Sequence, residues 1–199
     1  PSNSSAASDV YKRQELYGRN LTAGALDVMG QYYSVASSSH AFYNYGGLVY
    51  TGNDEKALFD NMWQKCYAVI ACCNTIIEKC DENKAGLSPV WKGSIKGEAL
   101  ALRAMLHFDM LRLFGPLTSE LDKESIPYQT NSDQTVTPLL SGSEVTGLIL
   151  DDLKNAVGLL KDTDPYFVEE EFSDTDLNYR RFRMNYFAAK GLMARVQLW

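Results

Sequence analysis

The chain has 199 residues, enough for one domain or for a piece of a larger one. Its hydrophobic fraction of 45% and charged fraction of 22% are ordinary for a globular protein and allow a buried core. The net charge is −6, and the 19 lysines and arginines form no dense cluster, so a nucleic-acid partner is not expected. No apolar run approaches the roughly 18 residues of a membrane span, and no signal-peptide pattern is visible.

The two ends of the chain differ from ordinary domain ends. Residues Pro1–Gln14 are rich in serine and alanine and show no hydrophobic period. Their last six residues, Asp9–Gln14, look like translated adaptor sequence, so we expect this segment to be non-native. The helical pattern at Met184–Trp199 stops without glycine, proline or a polar tail. We therefore expect residues 15–199 to be the N-terminal part of a truncated helical domain whose C-terminal half is missing.

Apolar residues recur at steps of three and four along most of the chain, which predicts an all-α fold. A weak apolar pattern at Glu15–Tyr33 comes first. The predicted helices are Asp54–Cys80, Val90–Phe114, Ser143–Lys161 and Met184–Trp199, with Asp54 and Ser143 as N-caps. The predicted loops between them are Ser34–Asn53, Leu117–Gly142 and the acidic Asp162–Phe182. No stretch alternates with period two for long enough to predict a sheet.

The helix at Val90–Phe114 has two apolar faces, one beginning with Ile95 and Ala99 and the opposite one with Leu100 and Ala101. A helix at the surface of a protein has only one such face, so this helix should lie between two layers, as inner helices of stacked helix-pair solenoids do. Glu98 and Arg103 are flanked by apolar residues on this helix. Because an unpaired buried charge is costly, each should have a partner on a neighbouring helix.

Four blocks of residues resemble the SusD/RagB family of nutrient-binding outer-membrane lipoproteins. The signature block reads Gly97-Glu98-Ala99, Leu102-Arg103-Ala104, Phe108, Leu111 and Phe114-Gly115-Pro116. The other three follow the family order at Trp63–Asn74, Ile149–Leu160 and Arg183–Leu198. The resemblance makes Gly97, Glu98, Arg103, Gly115 and Pro116 the structural signature. Leu117-Thr118 departs from the family's usual small apolar residue and second proline.

The resemblance implies a tetratricopeptide-like, SusD-like array of helix pairs. It also implies a lipid anchor in the outer membrane of Bacteroidota, although the lipobox cysteine is absent from this chain. Such proteins bind oligosaccharides, or in some members peptides, without cleaving them, and work with a SusC-type TonB-dependent transporter. Two other functions stay open: a tetratricopeptide-type scaffold that binds a peptide or partner protein, and a hydrolase using a pair of acidic residues.

The candidate ligand-binding residues are in the loop His40–Asn53. Tyrosine rings stack on sugars, and an asparagine amide both donates to and accepts from hydroxyl groups. We therefore predict that the exposed residues of this loop bind the ligand: Tyr43, Asn44, Tyr45 and Tyr50. The alternative is that these rings only pack the loop against the protein.

No metal, cofactor or catalytic site is predicted. Cys66, Cys73 and Cys80 repeat every seven residues on one predicted helix, a rise of about 10.5 Å that is too far for a disulfide. Apart from a strained vicinal Cys72–Cys73 bond, no disulfide is expected within the chain, and all four cysteines are predicted to be buried apolar side chains. The acidic stretch Asp162–Asp176 could bind Ca²⁺ or supply two catalytic carboxylates, but it lacks the spacing of an EF-hand, and a solvated loop is the prediction. No nucleophile, phosphate-binding or dinucleotide motif is present.

Overall fold

The computed structural model describes residues 17–18, 20–133, 135–164, 180 and 182–199. The chain forms two compact units, Pro1–Cys66 and Tyr67–Trp199. The segment predicted to be non-native, Pro1–Gln14, lies outside the described residues, as does most of the acidic loop. Among the described residues, no helix is both long and apolar enough to cross a bilayer.

Helices dominate the described residues, which confirms the predicted all-α class. The bounds are a π-helical turn at Leu21–Leu26, α1 (Asp27–Met29), α2 (Tyr43–Gly46), α3 (Asn53–Glu82), α4 (Pro89–Phe114), a 3₁₀ turn at Thr118–Glu120, α5 (Gly142–Thr163) and α6 (Tyr186–Leu198). The long helix α3 contributes residues to both units.

The first unit has a small aromatic core. Ala25, Val28 and Tyr45 are buried at its centre, and Phe42, Tyr50 and Phe59 are among the side chains that pack around them. The predicted irregular loop at Ser34–Asn53 therefore needs correction, because it contains the one-turn helix α2. Tyr45 lies in that turn, and the burial of its ring holds the turn against the core.

Helix α3 begins at Asn53, so Asp54 belongs to its first turn. The prediction that Asp54 is the N-cap was therefore wrong. The carboxylates of Asp54 and Glu55 favour this end through the helix dipole. The buried stripe follows the predicted steps of three and four and contains Cys66, Ile70, Cys73, Ile77 and Cys80. The fourth cysteine, Cys72, is exposed, so the prediction that all four are buried was wrong for this one.

Helix α4 is covered on every side. Ser88 caps it by accepting a hydrogen bond from the Trp91 N–H at 3.3 Å. Proline at position 89 suits the first turn, where no N–H partner is lost. From Gly93 to Leu111 every residue is buried or half-buried, which confirms the predicted sandwich. Gly115 ends the helix with an extended backbone, and a Cβ there would lie 2.4 Å from the Leu111 carbonyl oxygen.

Helices α4 and α5 meet at Gly97. A Cβ at this position would lie 2.8 Å from Leu160 Cγ and 3.3 Å from the Ala156 carbonyl oxygen, so only glycine allows the two backbones to lie this close. Helix α5 starts at a capping box in which the Ser141 hydroxyl accepts from the Glu144 N–H and the Glu144 carboxylate accepts from the Ser141 N–H. The predicted cap at Ser143 was therefore two residues too late.

We expect Gly97→Ala to destabilise the chain by about 1–2 kcal/mol, because overpacking at Leu160 outweighs the gain in helix propensity. Gly158→Ala is the matched control, since a Cβ at that position of α5 meets nothing within 4 Å. It should stabilise the chain by about 0.5–1 kcal/mol. Urea unfolding followed by circular dichroism measures both, and two changes of the same sign would contradict the close approach at Gly97.

Two short strands, β1 (Glu124–Pro127) and β2 (Leu139–Ser141), pair antiparallel, so the prediction of no sheet was wrong. Strands of four and three residues are too short for an alternating pattern to be visible in the sequence. The Ser125 hydroxyl donates to the Leu140 carbonyl at 2.9 Å and adds a side-chain bond to this pair.

Helix α6 begins one turn after the point where the described chain resumes. Asn185 caps it by accepting from the Ala188 N–H at 2.9 Å, so the helix starts two residues later than predicted. Ala189 and Val196 are its buried residues. Helix α6 packs mainly on α5, which in turn packs on α4.

Candidate functional site

An open groove of about 580 Å³ lies on the first unit, and it contains part of the predicted ligand loop. Its walls come from two segments of the chain, the residues after α1 and those of α2 and the turn that follows. The lining residues are Val28, Gln31, Tyr33, Ser34, Val35, Tyr43, Asn44, Gly46, Gly47 and Val49. The groove therefore combines apolar surface with uncharged polar groups, which is the composition that suits a sugar.

Two tyrosines supply the aromatic surface of the groove. Tyr33 and Tyr43 are each 42% exposed. The Tyr33 hydroxyl donates to the Ala23 carbonyl at 2.6 Å, which holds its ring in place without burying it. Tyr43 was predicted as a ligand residue, whereas Tyr33 lies outside the predicted loop. Its only signal in the sequence is that it is an aromatic residue next to Ser34, where the predicted irregular loop Ser34–Asn53 begins.

Tyr45 and Tyr50 are not among the residues that line the groove. Tyr45 is only 3% exposed, so its predicted exposure was wrong. Its ring lies 6.0 Å from Phe42 and 6.1 Å from Phe59, and burial raises the pKa of its hydroxyl, with a further rise from the negative charge of Glu55. Tyr50 is half-buried and meets Phe59 edge-on at 5.5 Å. These contacts favour, for these two tyrosines, the alternative in which the rings pack the loop against the protein.

Asn44 lies in the groove wall and has a fixed side chain. Its Nδ2 donates to Glu55 Oε1 at 2.9 Å. Glu55 is 4% exposed and belongs to the first turn of α3. A Cβ at Gly52 would lie 2.0 Å from Glu55 Oε2, so the glycine leaves the space into which this carboxylate folds. Asn44 is therefore positioned by a buried carboxylate.

The backbone beside the groove is conformationally unusual. Gln31 lines the groove with a φ of 58°, and Leu48, between two lining residues, has a φ of 54°. Left-handed backbone is uncommon for residues other than glycine and clusters at functional sites. Both segments that form the groove carry such a residue.

The signature residues lie in the second unit, and two of them, Glu98 and Arg103, belong to buried ion-pair networks. Arg103 makes a bidentate pair with Asp152 of α5, with Nε and Nη2 each 2.7 Å from a carboxylate oxygen. Its Nη1 donates to Asn74 Oδ1 of α3 at 2.8 Å and to the Thr130 carbonyl at 3.3 Å. The predicted neighbouring-helix partner of Arg103 is therefore confirmed.

Glu98 is paired as well, with two arginines that precede α6 in the chain. Arg180 is helical, whereas Arg183 lies in a bend, so the predicted partner on a helix is not correct for Arg183. The two carboxylate oxygens of Glu98 accept from Arg180 Nη1 at 2.6 Å and from Arg183 Nε at 2.7 Å. Arg180 also donates to Asp164 at 2.8 Å. Asp164 is buried, so the predicted solvated character of the acidic loop is wrong for this residue. The remaining acidic residues of the predicted solvated loop, from Glu169 to Asp176, lie outside the described part of the chain.

A buried histidine and tyrosine extend the Arg103 network. His107 stacks on Tyr128 with ring centroids 3.9 Å apart, and the Tyr128 hydroxyl donates to Asp152 at 2.5 Å. Burial lowers the pKa of His107 to about 3, and burial, followed by the Asp152 charge, raises that of Tyr128. His107 Nε2 accepts from the Gln129 N–H at 3.1 Å, so its proton is on Nδ1, which donates to the Arg103 carbonyl. The buried polar groups of this network therefore have hydrogen-bond partners within the network.

A second opening of about 630 Å³ lies between α4 and α5, but its charges already have partners. Lys96 pairs with Asp81 at 2.5 Å, Lys154 with Asp151 at 3.0 Å, and Arg103 with Asp152. In the part of the chain that the structure describes, no group of three or more His, Cys, Asp or Glu side chains could hold a metal ion. The groove on the first unit is therefore the candidate ligand site.

The fold defines the class of all-α, tetratricopeptide-like proteins. Within it, the chain belongs to the SusD-like family, because the family model described as "Starch-binding associating with outer membrane" matches residues 6–198. A SusD-like protein of Bacteroides ovatus is 30% identical over 146 residues, which cover 71% of this chain and 23% of that protein. The chain thus spans about a quarter of that relative's length.

Solved structures show the same fold. A SusD-like carbohydrate-binding protein from Bacteroides vulgatus aligns with a TM-score of 0.68 and 21% identity, over 93% of this chain and 38% of that one. A protein crystallised with a xylogluco-oligosaccharide aligns with a TM-score of 0.58 and 21% identity, over 86% of this chain and 30% of that one.

Proposed function

We propose that this protein binds oligosaccharide nutrients at the cell surface without cleaving them and delivers them to a SusC-type TonB-dependent transporter. The protein would be held in the outer membrane by a lipid anchor. Family membership supports the setting, and the groove with Tyr33, Tyr43 and Asn44 is the observation that carries the ligand-binding part. The oligosaccharide in one structural neighbour is consistent with a sugar ligand.

The chemistry of the groove explains how a sugar would be bound. The faces of Tyr33 and Tyr43 offer apolar surface to the C–H groups of a pyranose ring. Gln31, Ser34 and Asn44 offer hydrogen bonds to its hydroxyl groups. Such contacts bind a sugar without polarising a glycosidic bond, so the proposal includes no catalytic step.

The direct test is isothermal titration calorimetry of the purified chain against soluble neutral oligosaccharides, including xyloglucan and starch fragments. We expect at least one to bind, and Tyr43→Ala to weaken that binding about tenfold through loss of stacking, a change of about 1.4 kcal/mol. Tyr32→Ala is the matched control, because Tyr32 is 84% exposed, is not one of the groove-lining residues, and should leave the affinity unchanged.

Three results would overturn the proposal. If no glycan binds, the tetratricopeptide-type scaffold becomes the better function. If Tyr43→Ala and Tyr32→Ala behave alike, the groove is not the site. If chromatography detects shorter saccharides after prolonged incubation with the protein, binding without cleavage is wrong. Co-purification of a TonB-dependent transporter from outer membranes tests the delivery step separately.

A further inference from the structure

The residues that line the groove indicate which charge a ligand can have. None of the described residues that line it is Lys, Arg, His, Asp or Glu. An anionic sugar, such as a uronate, would therefore lose part of its hydration in the groove without gaining a cationic partner. A neutral sugar would exchange hydroxyl–water bonds for bonds to uncharged amides and hydroxyls, with little net cost.

One negative group lies directly behind the groove wall. Glu55 is buried, and its Oε1 is 2.9 Å from Asn44 Nδ2, so only one side chain separates it from the groove. Buried charges are screened less by salt than exposed ones. Its field already reaches the neighbouring Tyr45, whose pKa is raised first by burial and then by Glu55 and Asp54. The same field would repel an anionic ligand beside Asn44.

Glu55 also determines what Asn44 presents to a ligand. Because the amide is planar, an Nδ2 that points at Glu55 directs Oδ1 away from it. The amide oxygen is then available as an acceptor for a hydroxyl group. Gly52 contributes indirectly to the orientation of Asn44, because a side chain at position 52 would collide with the Glu55 carboxylate.

We propose that the groove is selective for neutral over anionic glycans, that the charge of Glu55 sets this selectivity, and that Glu55 also positions Asn44 for the ligand. The inference rests on the proposed function, since it specifies the class of glycan that the same groove takes. Gly52, Glu55 and Asn44 act together. The glycine leaves space for the Glu55 carboxylate, the carboxylate orients the Asn44 amide, and the amide contacts the ligand.

The experiment uses one oligosaccharide in two forms. A neutral oligosaccharide from the panel is compared with the same compound after oxidation of its primary hydroxyls to carboxylates. We expect the oxidised form to bind about tenfold more weakly, and most of this difference to persist at high salt because Glu55 is buried. Equal or tighter binding of the oxidised form would overturn the selectivity while leaving glycan capture intact. Failure of both forms to bind would overturn glycan capture itself.

Two substitutions separate the charge of Glu55 from its hydrogen bond. Glu55→Gln keeps an acceptor for Asn44 but removes the charge, so it should narrow the difference in affinity between the neutral and the oxidised form. Glu55→Ala removes the acceptor and should weaken neutral binding about tenfold. Gly52→Ala displaces the carboxylate without deleting a polar group and should weaken neutral binding in the same direction.

Thermal unfolding of each variant distinguishes a loss of fold from a loss of positioning. If Gly52→Ala and Glu55→Ala bind the neutral form as wild type does, Glu55 does not position Asn44. If Glu55→Gln leaves the difference between the two forms unchanged, its charge does not set the selectivity.

Discussion

Replacing Asp152 with alanine is expected to destabilise the second unit by about 3–5 kcal/mol, the cost of leaving one member of a buried ion pair alone. Arg103 would lose both bidentate bonds, and the Tyr128 hydroxyl would lose its acceptor. Both charged side chains are nearly inaccessible, at 7% and 10% exposure, so the unpaired guanidinium would stay largely out of bulk water. Urea unfolding followed by circular dichroism gives the change in free energy.

The adjacent residue provides a matched control. Asp151 is on the same helix and also pairs with a cation, but both partners are largely exposed, at 66% and 62%. Asp151→Ala should therefore change the free energy of unfolding by less than about 1 kcal/mol. The double variant Arg103→Met, Asp152→Leu should be more stable than Asp152→Ala, because it leaves no unpaired charge. Similar losses of unfolding free energy for Asp151→Ala and Asp152→Ala would show that the buried Arg103–Asp152 pair stabilises the protein no more than an exposed pair does.

Acidification is expected to destabilise the chain in a way that depends on His107. Burial, followed by the charge of Arg103, lowers the pKa of this histidine to about 3, whereas an unfolded chain has a histidine pKa near 6.5. Between these two values the unfolded state binds one more proton than the folded state. Stability attributable to His107 is therefore complete above about pH 6.5 and declines as the pH falls, by about 1.4 kcal/mol per pH unit.

Among the described residues, the hydrogen-bond partners of the two His107 ring nitrogens are backbone groups, which do not stabilise an imidazolium as a carboxylate would. Tyr128 stacks on the ring, Tyr67 meets its edge at 6.0 Å, and Arg103 contributes a carbonyl and a nearby positive charge. Protonation of Nε2 would also break the bond from the Gln129 N–H. His107→Gln keeps an acceptor for that N–H but loses the stacking on Tyr128, so it should lower the free energy of unfolding at neutral pH. Because glutamine does not titrate, the free energy of unfolding should depend less on pH between pH 4 and 6.5.

Unfolding free energies measured at several pH values test this expectation. His40→Gln is the control, because His40 is exposed and its loss should leave the slope unchanged. If wild type and His107→Gln show the same slope, other groups are responsible for the acid sensitivity.

The helical scaffold was predictable from the sequence because its signal is periodic and local. Two apolar faces on one helix indicated that α4 lies between layers, and the isolated charges of Glu98 and Arg103 indicated partners elsewhere. The identity of those partners was not predictable, because Asp152 is 49 residues from Arg103 and Arg180 is 82 residues from Glu98. No local pattern encodes such distances.

The groove was predictable only in part. Aromatic and amide side chains at 43–50 suggested a ligand loop, but the sequence does not show which rings turn inward. Tyr45 is buried because its helical turn places it against Ala25 and Val28, whereas Tyr43 of the same turn stays half-exposed. The second wall, with Gln31 and Tyr33, comes from a segment whose proximity depends on tertiary packing. The strands β1 and β2 were missed because they are too short for any period.

An open groove without charges also has kinetic consequences. It cannot steer a neutral sugar by electrostatics, so association would proceed at an ordinary rate of about 10⁵–10⁷ M⁻¹s⁻¹. A ligand held by two ring faces and a few uncharged hydrogen bonds gains modest affinity, and a dissociation constant of about 10 μM would correspond to release within about 10 milliseconds to 1 second. Under the proposed function, such a short residence would favour transfer, because tight retention would slow the release of each ligand.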